Sequence, residues 1–311
     1  MKRHAHVILL LVLAVTASAQ LKVTSIQRLP LGTEREWSTP QFSPDGTSIY
    51  FTASDFNGIW EYSLANRSMR LVTDDRGSGY GFAVSRDGAQ IAYRRTSPVN
   101  GTSINTITHR RSQEIVTKNL VDGSSSIVSR GATLSLPIYS GSNVVSSSGK
   151  EMNAPPGTAH VDQVSVLGIE DTKIALLRGG QKVLLDPLGN GSYIWPSLSA
   201  DGKYIVAYEM DRGTFVCDVA GKVTSKLGRK DAPAWTRDGR WIVYMNDKDD
   251  GHRILSSDII CVSPDGKEII QLTDTRDVIE MYPQCSPTED KIVCNTLRGD
   301  VYVISYAESG R

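Results

Sequence analysis

Short segments in which apolar and polar residues alternate recur along most of the chain. In PQFSPDGTSIYF (40–51), two alternating segments flank the turn residues Ser-Pro-Asp-Gly. Alternation with a period of two is typical of a half-buried β-strand, and Asp-Gly between two such segments favours a tight hairpin turn. The pattern therefore predicts a β-hairpin here and an all-β chain.

The hairpin pattern is repeated along the chain. Further copies are FAVSRDGAQIAY (82–93), PSLSADGKYIVA (196–207), PAWTRDGRWIVY (233–244) and PQCSPTEDKIVC (283–294). Third and fourth strands follow several hairpins, as in GIWEYSL with MRLVT, GTFVCDV with VTSKLG, and DIICVSP with EIIQLT. Four antiparallel strands per repeat predict the blades of a β-propeller. We interpret the turn aspartates as acceptors for turn amides and not as metal ligands: Asp45, Asp87, Asp201 and Asp238.

The number of blades follows from the fourth strands. Five can be counted directly, and LKVTSIQRL (21–29) alternates suitably to complete a last blade that otherwise ends at VYVISYA. This predicts a six-bladed propeller closed by the N-terminal strand, with seven blades as the alternative. The weak stretch is 96–187, where we expect a degenerate hairpin at 134–145, the outer pair KIALLR and QKVLLD, and two long loops over 96–112 and 148–162.

The N-terminus has the pattern of a secretory signal peptide. Lys2 and Arg3 precede an apolar run (7–15), and Ala17-Ser18-Ala19 offers small residues for cleavage. The run is too short to span a bilayer. We therefore expect a signal peptide over 1–19, cleavage near Ala19, a single propeller domain over 20–311, and a periplasmic or secreted protein without membrane insertion.

Charge excludes one class of partner. The chain has 34 basic and 34 acidic residues, and loss of Lys2 and Arg3 would leave 32 against 34. A protein without excess positive charge has little attraction for nucleic acid, so we predict no nucleic-acid partner.

The repeats resemble the PD40 repeats of the TolB-like, WD40-like propeller family over most of residues 20–306. The resemblance implies a propeller in which the hairpin is the innermost part of each blade. TolB-like proteins carry an additional N-terminal α/β domain, whereas here the repeats begin soon after the predicted cleavage site. The family's partner-binding residues are therefore not carried over to this chain.

Sequence motifs for catalysis are missing. The chain contains no G-x-S-x-G and no Cys-x-x-Cys, so we predict no serine nucleophile, no zinc site and no cofactor, and we assign no catalytic residue. Asp247, Asp249 and Asp250 are weak candidates for binding a hard cation, but they lack the spacing of a calcium loop, and a solvated turn is the preferred interpretation.

Two cysteines suggest a disulfide. Cys285 and Cys294 hold the positions of Phe42 and Phe51 in the first repeat, so we expect them to face each other across a hairpin. The pair is either a cross-strand disulfide or two buried thiols.

The candidate binding residues lie in loops that join one blade to the next. In a propeller these loops meet on one face around the channel mouth, where sequence is free of the packing demands of the repeat. The candidates are Arg35, Trp37, Arg76, Tyr80, Tyr193, Trp195, Asp231, Glu280 and Tyr282. Aromatic anchors beside charged groups suit protein hot spots or sugar stacking. Alternatively, the aromatic residues only cap the core between blades.

These observations predict an exported, non-catalytic scaffold. We expect it to bind a protein, peptide or glycan of the cell envelope through its loop face, as a monomer or within a hetero-complex. The alternative is a lyase-like or glycosidase-like propeller enzyme that uses a channel-mouth carboxylate such as Glu280 or Asp231. A third hypothesis is a purely structural part of an envelope assembly.

Overall fold

A computed structural model describes residues 20–97, 112–140, 143–146 and 164–309. Within these ranges the regular structure is β-strand, apart from one 3-10 turn, η1 (Ser78–Tyr80). Over the same ranges, no helix has the length and apolar character needed to cross a membrane.

The strands form six blades. The first blade contains β2 (Trp37–Phe42), β3 (Ser48–Ala53), β4 (Ile59–Ser63) and β5 (Ser68–Thr73). The second contains β6 (Phe82–Val84), β7 (Gln90–Ser97), β8 (Ser112–Asn119) and β9 (Ser125–Gly131). The third contains β10 (Pro137–Ser140), β11 (Asn143–Ser146), β12 (Ser165–Glu170), β13 (Lys173–Arg178) and β14 (Gln181–Leu185).

The remaining blades follow in chain order. The fourth contains β15 (Tyr193–Leu198), β16 (Tyr204–Glu209), β17 (Gly213–Asp218) and β18 (Val223–Gly228). The fifth contains β19 (Asp231–Trp235), β20 (Ile242–Asp249), β21 (Ile254–Val262) and β22 (Ile269–Gln271). The sixth contains β23 (Glu280–Cys285), β24 (Lys291–Thr296), β25 (Val301–Ser309) and β1 (Gln20–Arg28). The predicted all-β, six-bladed fold is confirmed.

The third blade is the irregular one, as its sequence predicted. It consists of a two-stranded sheet, β10 with β11, and a three-stranded sheet, β12 to β14. The two sheets share one buried cluster, in which Val145 packs with Leu167, Ala175 and Leu177. Strand β10 lies against the second blade and β12 against the fourth, so both sheets occupy the same sector of the ring. The long loop predicted over 148–162 lies outside the described residues, as does most of the one predicted over 96–112. The end residues of the latter belong to strands, because β7 extends to Ser97 and β8 begins at Ser112.

The N-terminal strand closes the ring. β1 pairs antiparallel with β25, from Lys22 opposite Ala307 to Arg28 opposite Tyr302. The sheet order β1-β25-β24-β23 makes β1 the outermost strand of the last blade. The two ends of the propeller domain therefore lie in one blade, and β1 covers the edge that β25 would otherwise leave open.

The hairpin turns use their aspartates as predicted. Ser43 Oγ donates to Asp45 Oδ1 at 2.5 Å, and the Thr47 N–H donates to the same oxygen at 3.0 Å. Because these bonds favour the ionised carboxylate, led by the bond from Ser43, they hold the pKa of Asp45 below its usual value. Gly46 supplies the left-handed conformation of the turn, with φ 74°. The turn aspartates are structural.

The core lies between the faces of neighbouring blades. In one cluster, Val206 and Val216 of the fourth blade pack against Ile242 and Val262 of the fifth. In another, Val243 of the fifth blade packs with Ile292 of the sixth. Since each blade face is covered by its neighbour, the ends of the blades are the surfaces left for binding.

The predicted facing of Cys285 and Cys294 is wrong. In the hairpin of β23 and β24, Cys285 lies opposite Ile292 and not opposite Cys294. The short turn fixes this register and places Cys294 two positions further along its strand. All four cysteines are free thiols, and Cys217, Cys261 and Cys294 are buried.

Candidate functional site

Loops that join one blade to the next lie beside the turns that join the second and third strands of a blade. They share one face of the ring, which we call the loop face. The loop entering β2 bonds to the turn between β24 and β25, through Trp37 N–H to the Gly299 carbonyl at 2.9 Å. Equivalent backbone hydrogen bonds run from the Gly79 N–H to the Phe56 carbonyl at 3.0 Å and from the Tyr193 N–H to the Thr172 carbonyl at 2.9 Å. In the first, second and fourth blades, the chain that enters the inner strand is thus tied to the preceding blade, which restrains the start of the strand.

The inner strands share a bend that the repeats encode as a residue followed by proline. The residues before these prolines have positive φ: Thr39 at 47°, Trp195 at 51°, Ala232 at 49° and Tyr282 at 53°. The pairing register of each strand shifts at the same place. Left-handed backbone is strained for residues other than glycine, and a following proline disfavours the α regions further. Four blades therefore hold an equivalent residue in a strained conformation.

A pocket of 480 Å³ lies where the bends of different blades meet. We call it the central pocket. It is lined by Ser38, Thr39, Pro40, Gln41, Phe56, Gly79, Tyr80, Gly81, Phe82, Trp195, Tyr282 and Gln284. Three of the predicted binding residues, Tyr80, Trp195 and Tyr282, are brought together here from three blades.

The aromatic rings of the central pocket are partly open to solvent. Tyr80 is 60% exposed and stacks on Phe56 with a ring-centroid distance of 4.5 Å and an interplanar angle of 20°. Tyr282 is 37% exposed. Trp195 packs edge-on against Tyr208 at 5.7 Å. Packing on one side holds these rings in place, while their remaining surface is free to contact a ligand.

The polar groups of the central pocket are uncharged. Gln41 and Gln284 follow the prolines of adjacent blades and so occupy equivalent positions. Gln41 Nε2 donates to the Phe82 carbonyl at 3.4 Å, which leaves its amide oxygen as an acceptor. Among the described residues that line the pocket, none has an ionisable carboxyl, amino, guanidinium or imidazole group. The pocket therefore combines aromatic surface with neutral hydrogen-bonding groups.

The glycines on either side of Tyr80 allow close packing, of Gly79 against the first blade and of Gly81 against the segment that enters the third blade. A β-carbon on Gly79 would collide with the side chain of Thr52 in β3, and one on Gly81 would meet Leu136. These positions are adjacent to Tyr80 on either side. The close approach sets the position of the Tyr80 ring in the pocket.

Two predicted residues lie in the core and not in the pocket. Trp37 is 4% exposed and packs edge-on against Phe51 and Trp60 at 5.0 and 5.1 Å. Tyr193 is 1% exposed, and its hydroxyl donates to Asp186 Oδ1 at 2.7 Å. Each is the first residue of its inner strand, where side chains point between the blades. The core-capping alternative describes these two residues.

The two predicted arginines are exposed outside the central pocket. The guanidinium of Arg35 lies over the Trp60 ring at 5.2 Å, beside a smaller pocket of 330 Å³. The backbone carbonyl of Arg76 accepts a bond from the Thr96 N–H at 2.9 Å, while its side chain is exposed.

Asp231 belongs to a partly buried acidic cluster that Arg229 holds together. The side chains of Asp231 and Asp247 are buried, whereas those of Asp249 and Arg229 are exposed. Arg229 Nε donates to Asp231 Oδ2 at 2.9 Å, and its terminal nitrogen lies 3.0 Å from Asp247 Oδ2 and 3.5 Å from Asp249 Oδ2. Burial, with the nearby Asp247 carboxylate, raises the pKa of Asp231 to about 6. Asp247 Oδ1 is buried without a hydrogen-bond partner. We call this group the Arg229 cluster.

The weak metal candidates are engaged in other contacts. Asp247 and Asp249 pair with Arg229, and Asp250 accepts the backbone N–H groups of His252 and Arg253 at 3.0 and 2.9 Å. In the described part of the chain, no group of three or more His, Cys, Asp or Glu side chains is arranged to hold a metal ion.

Glu280 is buried next to Thr275. It is 2% exposed, and burial raises its pKa to about 7. The hydroxyl oxygen of Thr275 lies 3.0 Å from Glu280 Oε2 and 2.8 Å from the Val278 carbonyl oxygen. A single hydroxyl proton cannot serve both acceptors, whereas a protonated Glu280 can donate to Thr275 while Thr275 donates to Val278. Glu280 therefore belongs to the wall of the sixth blade and not to the surface of the central pocket.

A larger cavity of 680 Å³ lies on the opposite face. Its rim is formed by the hairpin turns at Asp201, Asp238 and Asp265, and its floor includes Trp235 and Tyr204. The Trp235 Nε1–H donates to the Ser197 carbonyl at 3.1 Å. None of the predicted binding residues lines this cavity.

Sequence reasoning missed several residues of the central pocket: Thr39, Gln41, Phe56, Phe82 and Gln284. The signal for three of them is the proline that precedes the hairpin turn in most repeats. Thr39 comes directly before such a proline, and Gln41 and Gln284 come directly after one. No comparable signal marks Phe56, which lies in the turn between β3 and β4.

Comparison with known proteins shows the fold. No family model and no curated protein sequence matches the chain. TolB from Acinetobacter baumannii matches with a TM-score of 0.54 and 17% identity, covering 82% of this chain and 58% of that one. The chain thus spans little more than half the length of this TolB. The WD40 repeats of RRP9 match with a TM-score of 0.56 and 11% identity, covering 93% of this chain and 100% of theirs.

An enzyme has a similar fold. An oligogalacturonate lyase in complex with manganese matches with a TM-score of 0.50 and 14% identity, covering 88% of this chain and 78% of that one. At such identities the likeness establishes architecture and leaves function to the site. The chain is a six-bladed propeller whose fold is similar to that of TolB and of the RRP9 WD40 repeats.

Proposed function

We propose that this chain is an exported, non-catalytic binding propeller that takes a protein, peptide or glycan partner at the central pocket of its loop face. The observation that carries the proposal is the neutral, aromatic lining of that pocket. Partly exposed aromatic rings around a concave site supply large contact area at low entropic cost, and no carboxyl, amino, guanidinium or imidazole group is present in its described lining.

The strained bends support a binding role. Trp195 and Tyr282 are fixed by backbone conformation as well as by packing, so little freedom would be lost when a partner binds. Strained residues persist where the surrounding structure determines them, and they are common at ligand sites. A rigid set of rings on inner strands suits recognition.

Export is the second part of the proposal. Residues 1–19 have the charged start, apolar run and small-residue cleavage site of a signal peptide. Cleavage near Ala19 would leave the propeller domain of 20–311 in the periplasm or outside the cell. There we propose that it acts as a monomer or as a subunit of a hetero-complex of the cell envelope.

The test is capture of envelope material by the immobilised domain of residues 20–311. Wild type is compared with a Tyr80→Ala, Tyr282→Ala variant, and retained proteins, peptides and glycans are identified by mass spectrometry. Tyr204→Ala is the matched control, because Tyr204 is 40% exposed but lies on the opposite face. The proposal predicts material that wild type and the control retain and the pocket variant loses. Equal retention by all three proteins contradicts it.

A lyase-like or glycosidase-like enzyme is the second candidate. It is favoured by the raised pKa values of Asp231 and Glu280, about 6 and about 7, because perturbed carboxyl groups concentrate at catalytic sites. Both side chains are buried, at 6% and 2% exposure, so a substrate would have to displace covering residues to reach them. Turnover of a polyuronide or an aryl glycoside that Asp231→Asn or Glu280→Gln abolishes would establish this function.

A further inference from the structure

We infer that the ligand of the central pocket is a neutral glycan, whose inserted sugar residue has hydroxyl groups but no carboxylate, phosphate or ammonium group. The inference rests on the proposed function and narrows its ligand class. It follows from the charge, the hydrogen-bonding groups and the size of the pocket.

Charge excludes anionic and cationic ligands. A charged group that enters a pocket loses hydration, and this loss is offset only by an opposite charge or by several strong hydrogen bonds. The described lining has neither a cation nor an anion to offer. The arginine of the fifth blade is already shared among Asp231, Asp247 and Asp249. Glu280 is buried and does not line the pocket. Uronates, phosphorylated sugars, charged side chains and chain termini are therefore poor ligands.

The amide groups favour hydroxyls over apolar side chains. Gln41 and Gln284 each offer donors and an acceptor, and Ser38 and Thr39 add hydroxyl groups. A sugar hydroxyl is both donor and acceptor, so it can pair with an amide in either orientation. An apolar peptide side chain would cover the same amides and leave them without hydrogen-bond partners, which weakens binding. This mixture of groups favours a sugar over an apolar side chain.

The rings supply the complementary surface. A pyranose ring has an apolar C–H face and a polar rim of hydroxyls. Tyr80, Trp195 and Tyr282 offer aromatic surface from three blades, next to the two glutamines. The volume of 480 Å³ lies within the range of small-molecule pockets, about 300–1,000 Å³, and suits a short segment of an oligosaccharide.

The experiment is isothermal titration calorimetry of the propeller domain, residues 20–311, with neutral tetrasaccharides of glucose, N-acetylglucosamine, mannose, galactose and xylose. Tetragalacturonate is the charged counterpart, and an uncharged, aromatic-containing capped tetrapeptide is the peptide probe. We expect at least one neutral tetrasaccharide to bind, and tetragalacturonate to bind at least tenfold more weakly. Tyr282→Ala should weaken the neutral sugar tenfold or more, and Tyr204→Ala should leave its affinity unchanged.

Substitution of a second pocket residue, Gln284, separates a loss of sugar affinity from a loss of folded protein. Gln284 is exposed, so Gln284→Ala and Gln284→Glu should both fold as wild type does. Gln284→Ala should weaken the sugar about threefold to tenfold by loss of a hydrogen bond. Gln284→Glu keeps an acceptor but removes the amide donors and adds charge, so it should weaken the sugar at least as much.

The outcomes separate this inference from the proposed function. Tighter binding of tetragalacturonate than of every neutral sugar overturns the neutral-glycan inference, as does binding of the peptide alone or of none of these probes. If envelope capture still shows a partner that Tyr80→Ala, Tyr282→Ala loses, the proposed binding role stands without the glycan. If capture is negative as well, both fail.

Discussion

The central pocket and the Arg229 cluster lie at the loop-face ends of the blades and differ in almost every physical property. The pocket is open, neutral and aromatic. The cluster is charged, with an exposed arginine that pairs with two buried carboxylates, Asp231 and Asp247, and one exposed carboxylate, Asp249. In the cluster the pKa of Asp231 is raised, whereas in the pocket the rings of Tyr80 and Tyr282 are accessible to a ligand. The difference shows that in this propeller charge serves to join strands of the fifth blade, whereas we propose that ligand contact falls to uncharged side chains.

The largest expected effect is on stability, from loss of the arginine of the cluster. Arg229→Met should lower the free energy of unfolding by about 2–3 kcal/mol at pH 8, because Asp231 and Asp247 lose their counter-charge while buried. The loss should be smaller at pH 5, where a carboxyl with a pKa of about 6 takes up a proton. Urea unfolding at both pH values measures the change. Arg76→Met, at an exposed arginine of the loop face, is the control and should change stability by less than about 0.5 kcal/mol.

An effect of similar size concerns Glu280 and the pH dependence of the free energy of unfolding. Burial raises the pKa of this carboxyl, whereas the pKa of most carboxyl groups is lowered by folding. Its pKa rises from 4.5 when unfolded to about 7 when folded, so the folded state binds more protons between these values. Stability from this group is fully present below pH 4.5 and is lost as pH rises through 7. Glu280→Gln should therefore be more stable than wild type by about 3 kcal/mol at pH 8 and about equal at pH 4.5.

Urea unfolding of wild type and Glu280→Gln at several pH values measures this difference. Glu34→Gln, at an exposed carboxylate, is the matched control and should show no such trend. A constant difference between Glu280→Gln and wild type from pH 4.5 to 8 would show that Glu280 is ionised throughout.

Binding and stability should separate at the pocket. Tyr282→Ala should weaken ligand binding about tenfold, which is about 1.4 kcal/mol, because an anchor ring is lost. Its free energy of unfolding should change by less than about 1 kcal/mol, since the ring is 37% exposed. Arg229→Met should show the reverse, a large loss of stability with an unchanged affinity at a temperature where it is folded. Parallel losses in both variants would contradict the separation of the two regions.

The smallest effect concerns backbone strain. Thr39 is exposed and β-branched, with φ 47°, so Thr39→Gly should raise the free energy of unfolding by about 0.5 kcal/mol. Thr33→Gly, at an exposed loop threonine that is not in the left-handed region, should instead be neutral or slightly destabilising. Equal effects of the two glycines would show that the bend is not strained.

The repeat determined most of the fold in advance. Four of the inner hairpins carried an Asp-Gly turn signal, and the alternation of LKVTSIQRL predicted the strand that now pairs with β25. Such features are local or depend on simple closure, so sequence reveals them. The third blade was recognised as irregular, but its residues form two sheets because its hairpin and outer strands are separated by a long segment.

Side-chain direction near the bends could not be predicted. In a regular strand Tyr193 and Trp195 would point to the same side. The bend at Trp195 breaks the alternation, so Tyr193 lies in the core while Trp195 lines the central pocket. The same kind of local register placed Cys285 opposite Ile292 and made the predicted cysteine pairing wrong. A bulge changes which face a residue occupies without a change in composition.

The central claim is that a partner occupies the central pocket, and blocking that pocket tests it most directly. Gln284 is exposed, whereas the native cysteines are buried or partly buried and burial raises the pKa of each thiol. A bulky maleimide should therefore label Gln284→Cys selectively, and Tyr204→Cys serves as the control on the opposite face. We predict that labelled Gln284→Cys loses at least nine-tenths of the envelope material that its unlabelled form retains, while labelled Tyr204→Cys retains all of it. Undiminished retention by labelled Gln284→Cys would contradict the account.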